Sequence, residues 1–178
     1  MLVSDTMTFP MGTPSRKGPQ RFSGPPDAQL LYETQLMKMP TMDPPAPDEL
    51  MEWATASGQV VKVLFGDPEA GGMSLVWSWF APDFPLPRHS HSADCLYYVT
   101  KGELHLGRQV VKEGEGFFVA DGASYAYTAG PDGVEVLEFR AVSEFDMQIT
   151  ESLPRWAKMV EIARERRDTW AEELPAHS

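Results

Sequence analysis

One cysteine, Cys95, serves a chain of 178 residues. That excludes an internal disulfide framework and makes a reducing, cytoplasmic setting the simple expectation. Basic residues are also scarce. Fifteen Lys and Arg face 26 Asp and Glu, for a net charge of -11. Such a surface repels nucleic acid and anionic membranes, and no long basic cluster reverses the sign locally. No apolar run approaches the roughly 18 residues of a membrane span. The first segment, Met1 to Met11, is acidic at Asp5 and has no basic stretch leading into an apolar one, so a signal peptide is not expected. No internal repeat is visible. No helix-length periodicity interrupts the middle of the chain, which argues against a parallel α/β sheet.

The chain does have prolines, and they are unevenly spread. Nine of the sixteen fall before residue 51, which marks residues 1–51 as an arm. Its apolar island, Leu30 to Tyr32 and Leu36 to Met39, suits one short helix or an extra strand, packed on the main body or on a partner subunit. From residue 52 to 145 the texture is that of short strands separated by turns. These are Val60–Phe65, Met73–Phe80, Leu96–Thr100, Leu104–Leu106, Phe117–Val119, Tyr125–Thr128 and Val134–Phe139. Gly-rich turns lie between them, at Gly71-Gly72, Gly102, Gly114 and Gly122. Seven or eight strands at this spacing predict a sandwich or barrel. Residues 152–174 then change period. Leu153, Trp156, Val160, Ala163 and Trp170 recur at helical spacing, Ser152 stands at the N-cap and Pro154 in the first turn. The expectation is an amphipathic helix ended by Pro175, covering the barrel or a subunit interface.

The chemistry centres on His89-Ser90-His91. Two histidines two apart on a strand share a face, and a pair of neutral imidazoles suits Fe, Zn, Ni, Cu or Mn. Tyr97, Tyr125 and Tyr127 bring hydroxyls that need partners if buried. Glu113-Gly114-Glu115-Gly116 is a turn rather than a phosphate loop, since acids flank the glycines and no Lys-Ser/Thr follows.

The pattern from about residue 52 to 140 resembles the cupin superfamily, single-domain type, with the conserved barrel of the second type. His89 and His91 match the His-x-His of its first motif, and Gly102 matches that motif's final glycine. Cys95 stands where the family has glutamate, and Asp83-Phe84 where it has its opening glycine. In the second motif Gly114 matches, Ala120-Asp121-Gly122 replaces Pro-x-Gly, Tyr125 replaces the third histidine and Ala129 the asparagine. The resemblance implies an all-β fold, a double-stranded β-helix or jelly-roll barrel, flanked here by the arm and the helix. It places His89, His91, Cys95, Tyr97, Tyr125 and Tyr127 in the interior, with Phe118 and Trp79 or Phe80 beside them.

It further implies one divalent transition metal on His89 and His91, with Cys95 and Tyr125 as further candidate ligands. Tyr125, His91 and Tyr127 are the catalytic candidates, and Tyr97, Tyr127, Phe118 and Arg88 the pocket. Arg88 and Arg140 are the basic groups nearest the motifs. Either suits a carboxylate, though both are expected at the surface. Cys95 reads equally well as a small buried hydrophobe.

The implied function is a metal-dependent, dioxygenase-like enzyme acting on a small oxygenated or aromatic molecule. Two alternatives stand beside it: a metal-independent isomerase, cyclase or lyase using Tyr and His as acid and base, and a non-catalytic small-molecule-binding regulator. A homodimer is expected by the same resemblance.

Overall fold

The structure, a computed structural model, describes residues 19–53 and 57–176. The signal-peptide expectation for Met1 to Met11 and the first part of the arm lie outside the described residues.

In the middle of the chain the period-two pattern becomes antiparallel sheet. The strands are β1 (Gln29–Leu30), β2 (Thr41–Met42), β3 (Gln59–Phe65), β4 (Ser74–Phe80), β5 (His89–Ser90), β6 (Cys95–Leu106), β7 (Gln109–Lys112), β8 (Gly116–Val119), β9 (Thr128–Arg140) and β10 (Gln148–Ile149). The helices are α1 (Asp48–Trp53) and α2 (Leu153–Glu172). Seven strands form one sheet in the order β1-β3-β4-β9-β6-β7, with β8 paired to the first residues of β6. The other sheet is β2-β10-β5.

Two expected strands, Leu96–Thr100 and Leu104–Leu106, are one twelve-residue strand, β6. The intervening Lys101-Gly102-Glu103 is not a turn. The register against β9 shifts on either side of it, between Val99 and Lys101 and between Gly102 and Leu104. Gly102 sits at φ 76°, and a side chain there would strike the carbonyl oxygen of Gly133. That is the signature of a bulge that only glycine fills well.

The expected all-β, closed jelly-roll barrel is not what forms. The fold is mixed α/β, with two helices among the described residues and two sheets that do not close on each other. Isolated bridges join the sheets' neighbourhoods, Pro85 to Thr128 and His89 to Tyr125 among them. The physical reason is local. Pro82, Pro85 and Pro87 precede β5, and Pro40, Pro44 and Pro45 flank β2. Proline adds no N–H to a ladder, so the smaller sheet consists of two-residue strands.

The arm adds an edge strand through β1 on β3, buries Leu36 completely and meets Phe145 through Met37. Helix α2 is amphipathic as expected. It buries Trp156, Met159, Val160, Ala163 and Trp170 and leaves Leu153 exposed. Its two indoles are tied to distant carbonyls, Trp156 Nε1 to Pro44 at 3.1 Å and Trp170 Nε1 to Pro82 at 2.8 Å. Ser152 is the N-cap residue, yet its side chain makes no capping bond. Glu151 anchors this end instead. Its carboxylate takes the Ser152 N–H at 2.9 Å and the Arg88 N–H at 3.0 Å, an anion at the positive end of a helix.

No helix among the described residues is long and apolar enough to cross a membrane.

Candidate functional site

Between the larger sheet, the smaller sheet and α2 lies a cavity of about 590 Å³. Phe80, Phe84, Leu86, Met147, Ile149, Trp156, Met159 and Trp170 give it apolar walls. Its polar floor is Ser78, His89, His91, Tyr97, Tyr125, Tyr127, Glu138 and Arg140.

Strand parity positions this floor. In β6, Cys95, Tyr97 and Val99 face inward while Leu96 and Tyr98 face out. The register pairs Cys95 with Arg140, Tyr97 with Glu138 and Val99 with Val136, so Glu138 and Arg140 share the inward face. His89 and Tyr125 are held opposite each other by reciprocal backbone bonds, 2.9 and 3.0 Å. Their rings lie 4.3 Å apart, and those of His89 and His91 5.0 Å apart.

The two imidazoles have defined tautomers. His89 Nδ1 lies 2.8 Å from the Pro87 carbonyl, and His91 Nδ1 2.5 Å from the Asp146 carbonyl. A carbonyl only accepts, so each Nδ1 carries the proton and each Nε2 a lone pair. Arg140 Nη2 stands 3.4 Å from Nε2 of His91 and donates toward it. No hydrogen bond among the described residues takes Nε2 of His89. Burial pushes His89 down to about 4. Burial, then the Arg140 charge, also lowers His91. Both rings are neutral at pH 7.

Glu138 and Arg140 form a buried ion pair at 2.7 Å. Ser78 Oγ donates to the other carboxylate oxygen at 2.6 Å. Burial alone would raise the Glu138 carboxyl, but the Arg140 guanidinium and the Ser78 hydroxyl outweigh it and hold it below the usual range. For Arg140 burial opposes the charge, and Glu138 more than compensates. The guanidinium also lies over the Phe145 ring, 4.0 Å from its centroid. The Tyr97 and Tyr125 hydroxyls are hydrogen-bonded to each other. Burial, reinforced by Glu138, raises Tyr97, Tyr125 and Tyr127 well above the ordinary phenol value.

The expected divalent metal does not fit this floor. Among the described residues no group of three or more His, Cys, Asp and Glu side chains could hold a metal ion. Two imidazoles alone are too few donors. Tyr125 is engaged by Tyr97. Cys95 is buried and lies outside the cavity lining. The Nε2 of His91 faces a permanent cation, the guanidinium of Arg140, where a metal would bring like charge.

His89, His91, Cys95, Tyr97, Tyr125 and Tyr127 are all buried, and all but Cys95 line the cavity. Phe118 does not join them. It is 57% exposed, and its inner neighbour Phe117 stacks on Tyr97 at 4.5 Å instead. Phe80 lines the cavity, while Trp79 occupies the opposite face of β4. Arg88 is exposed and outside the cavity lining. Arg140, expected at the surface, is 1% exposed.

Sequence reasoning missed Glu138 and Ser78, and named Arg140 but placed it at the surface. The signal was available, because Val134, Val136, Glu138 and Arg140 share one parity on β9 and the two valines belong to the core.

No family model matches the chain, and no curated protein matches it. Solved structures do resemble it. The polyketide cyclase RemF from Streptomyces resistomycificus is 21% identical with a TM-score of 0.47, over 64% of this chain and 84% of that one. KdgF from Halomonas sp. is 19% identical with a TM-score of 0.42, over 47% and 79%. An RmlC-like cupin from Shewanella frigidimarina is 21% identical with a TM-score of 0.43, over 48% and 77%. The likeness is a partial superposition in each case. At these identities and superpositions it assigns no activity.

Proposed function

We propose that this chain is a metal-independent enzyme that moves protons on a small, oxygenated or aromatic molecule, in an isomerisation, cyclisation or elimination. One observation carries the reading: a neutral imidazole with a bare Nε2, His89, beside the hydroxyl pair of Tyr97 and Tyr125 on the floor of an apolar cavity. The lone pair accepts a proton from the substrate. The hydroxyl pair gives one to the oxygen that gains charge, and the His89 imidazolium then passes its proton to the tyrosinate beside it, which restores both groups for the next turnover.

A base held near pKa 4 is weak. It suits an acidic C–H or O–H, such as that of a β-dicarbonyl compound, rather than an ordinary ketone. The apolar walls suit the rest of such a molecule.

The test uses benzoylacetone, an aromatic β-dicarbonyl, with its enol–ketone interconversion followed by ultraviolet absorbance. Acceleration is expected to persist after exhaustive chelation and under argon. His89→Gln is expected to lower it by about 10²–10⁴-fold. Loss on chelation with recovery on adding a metal would overturn the reading. So would unchanged rates in His89→Gln.

A further inference from the structure

Arg140 forms part of the cavity wall, yet its hydrogen bonding is incomplete. Of the five N–H groups of a guanidinium, those on Nη2 serve Glu138 and His91. The one on Nε and the pair on Nη1 meet no acceptor among the described residues. The Tyr127 hydroxyl is likewise buried without a partner. Buried donors left in this state carry a desolvation penalty that an acceptor would relieve.

The balance of the floor is therefore one-sided. Arg140 and Tyr127 have hydrogens to give. The hydrogen-bonded pair of Tyr97 and Tyr125 has one more, because one hydroxyl donates to the other and keeps its partner's hydrogen free. Against these donors stand neutral acceptors, the bare Nε2 of His89 and the phenol oxygens. A cation would set its charge against the Arg140 guanidinium. The complementary occupant is rich in acceptors and poor in donors.

A carboxylate is acceptor-only when ionised, and its bond to a guanidinium is of the strong, charge-assisted kind. Arg140 is prepared for that role. Phe145 supports its flat face and Glu138 fixes its Nη2 edge, so little freedom is lost when an anion arrives.

We propose that Arg140 anchors the carboxylate of a small apolar organic acid, which places the guest's charged end on the floor and its hydrocarbon against the walls. This rests on the reading of the cavity as a small-molecule site. It adds to that reading the class of molecule and the residue that selects it.

The experiment compares three probes of one shape: naphthoate, its primary amide naphthamide, and the methyl ketone acetylnaphthalene. Binding is followed by quenching of Trp156 and Trp170, both in the cavity wall, and by calorimetry. The wild type is expected to hold naphthoate about ten- to a hundredfold more tightly than naphthamide. Because Arg140 alone cannot be removed without stranding Glu138, the main variant is Glu138→Gln with Arg140→Gln, which keeps the floor neutral. Its preference for the acid is expected to fall to near unity, with naphthamide still bound. Arg140→Lys, which keeps the charge but loses the planar fork, is expected to retain part of the preference.

Equal affinity of the wild type for acid and amide would overturn the proposal, as would a preference that survives in the double variant. Binding of the two neutral probes without the acid would remove the anion site and leave the small-molecule cavity standing. Binding of none of the three would remove both.

Discussion

The decisive residues are those whose charge or proton the interior has fixed. His89 ordinarily titrates near 6.5, and burial moves it to about 4. The sign follows directly. Between these values the unfolded chain binds a proton that the folded chain refuses, so stability is present above about 6.5 and is lost as pH falls toward about 4. The loss amounts to about 3 kcal/mol for so deeply buried a ring. Thermal melts are expected to fall across that window, and His89→Gln to flatten much of the fall; an unchanged slope in the variant would refute the assignment. Cys95 offers a second check. Its thiol is buried and pushed up to about 11, so an alkylating reagent at pH 8 is expected to leave it untouched until denaturant unfolds the chain.

At this scale the His pair and the tyrosines were legible, because their spacing states which of them share a face. Glu138 and Arg140 were not. Charged residues are ordinarily found outside, and it is chiefly the partner on the same strand, two residues away, that makes their burial tolerable. That partnership is visible in the parity of β9, but it has to compete with a strong prior for the surface.

At the scale of elements, α2 was readable from its period and its prolines, since an amphipathic helix writes its buried face into local sequence. Its anchoring was less so. Ser152 is the residue type that caps helices, yet Glu151, one position earlier, makes the contacts because its carboxylate can reach both Ser152 and Arg88. Trp170, fully buried against Phe84 and bonded to the Pro82 carbonyl, fastens the helix to the segment that leads from β4 to β5. Trp170→Ala is expected to cost about 3–5 kcal/mol by denaturant titration. A loss below about 1 kcal/mol would show that α2 is held elsewhere.

The strands were legible one by one, but their closure was not. Alternation tells which side of a strand is buried. It does not count the N–H groups that proline removes from a neighbouring ladder. The expected barrel therefore failed at Pro82, Pro85 and Pro87, residues that were visible all along but read only as punctuation between strands.

For the whole molecule, the cavity is assembled from segments far apart in sequence, with Met42 and Leu50 near one end and Trp170 and Leu174 near the other. No local pattern announces such a space, which explains why the histidines and tyrosines of the floor could be anticipated and the enclosure around them could not. Two global outcomes are expected. Exhaustive chelation should leave the melting temperature unchanged, since no metal-binding cluster exists among the described residues. Naphthoate at a hundred times its Kd should raise stability by about 3 kcal/mol. A fall in melting temperature on chelation would contradict the first.

The fixed protonation of the floor has one more consequence. Through the neutral and mildly alkaline range nothing there gains or loses a proton. Both imidazoles are already neutral, Cys95 changes only near about 11, and the three tyrosines are held well above 10. The floor is a spectator in the protein's titration. An inflection in a curve of binding against pH within that range would belong to the guest, and its midpoint would identify the ionisable group that the guest carries.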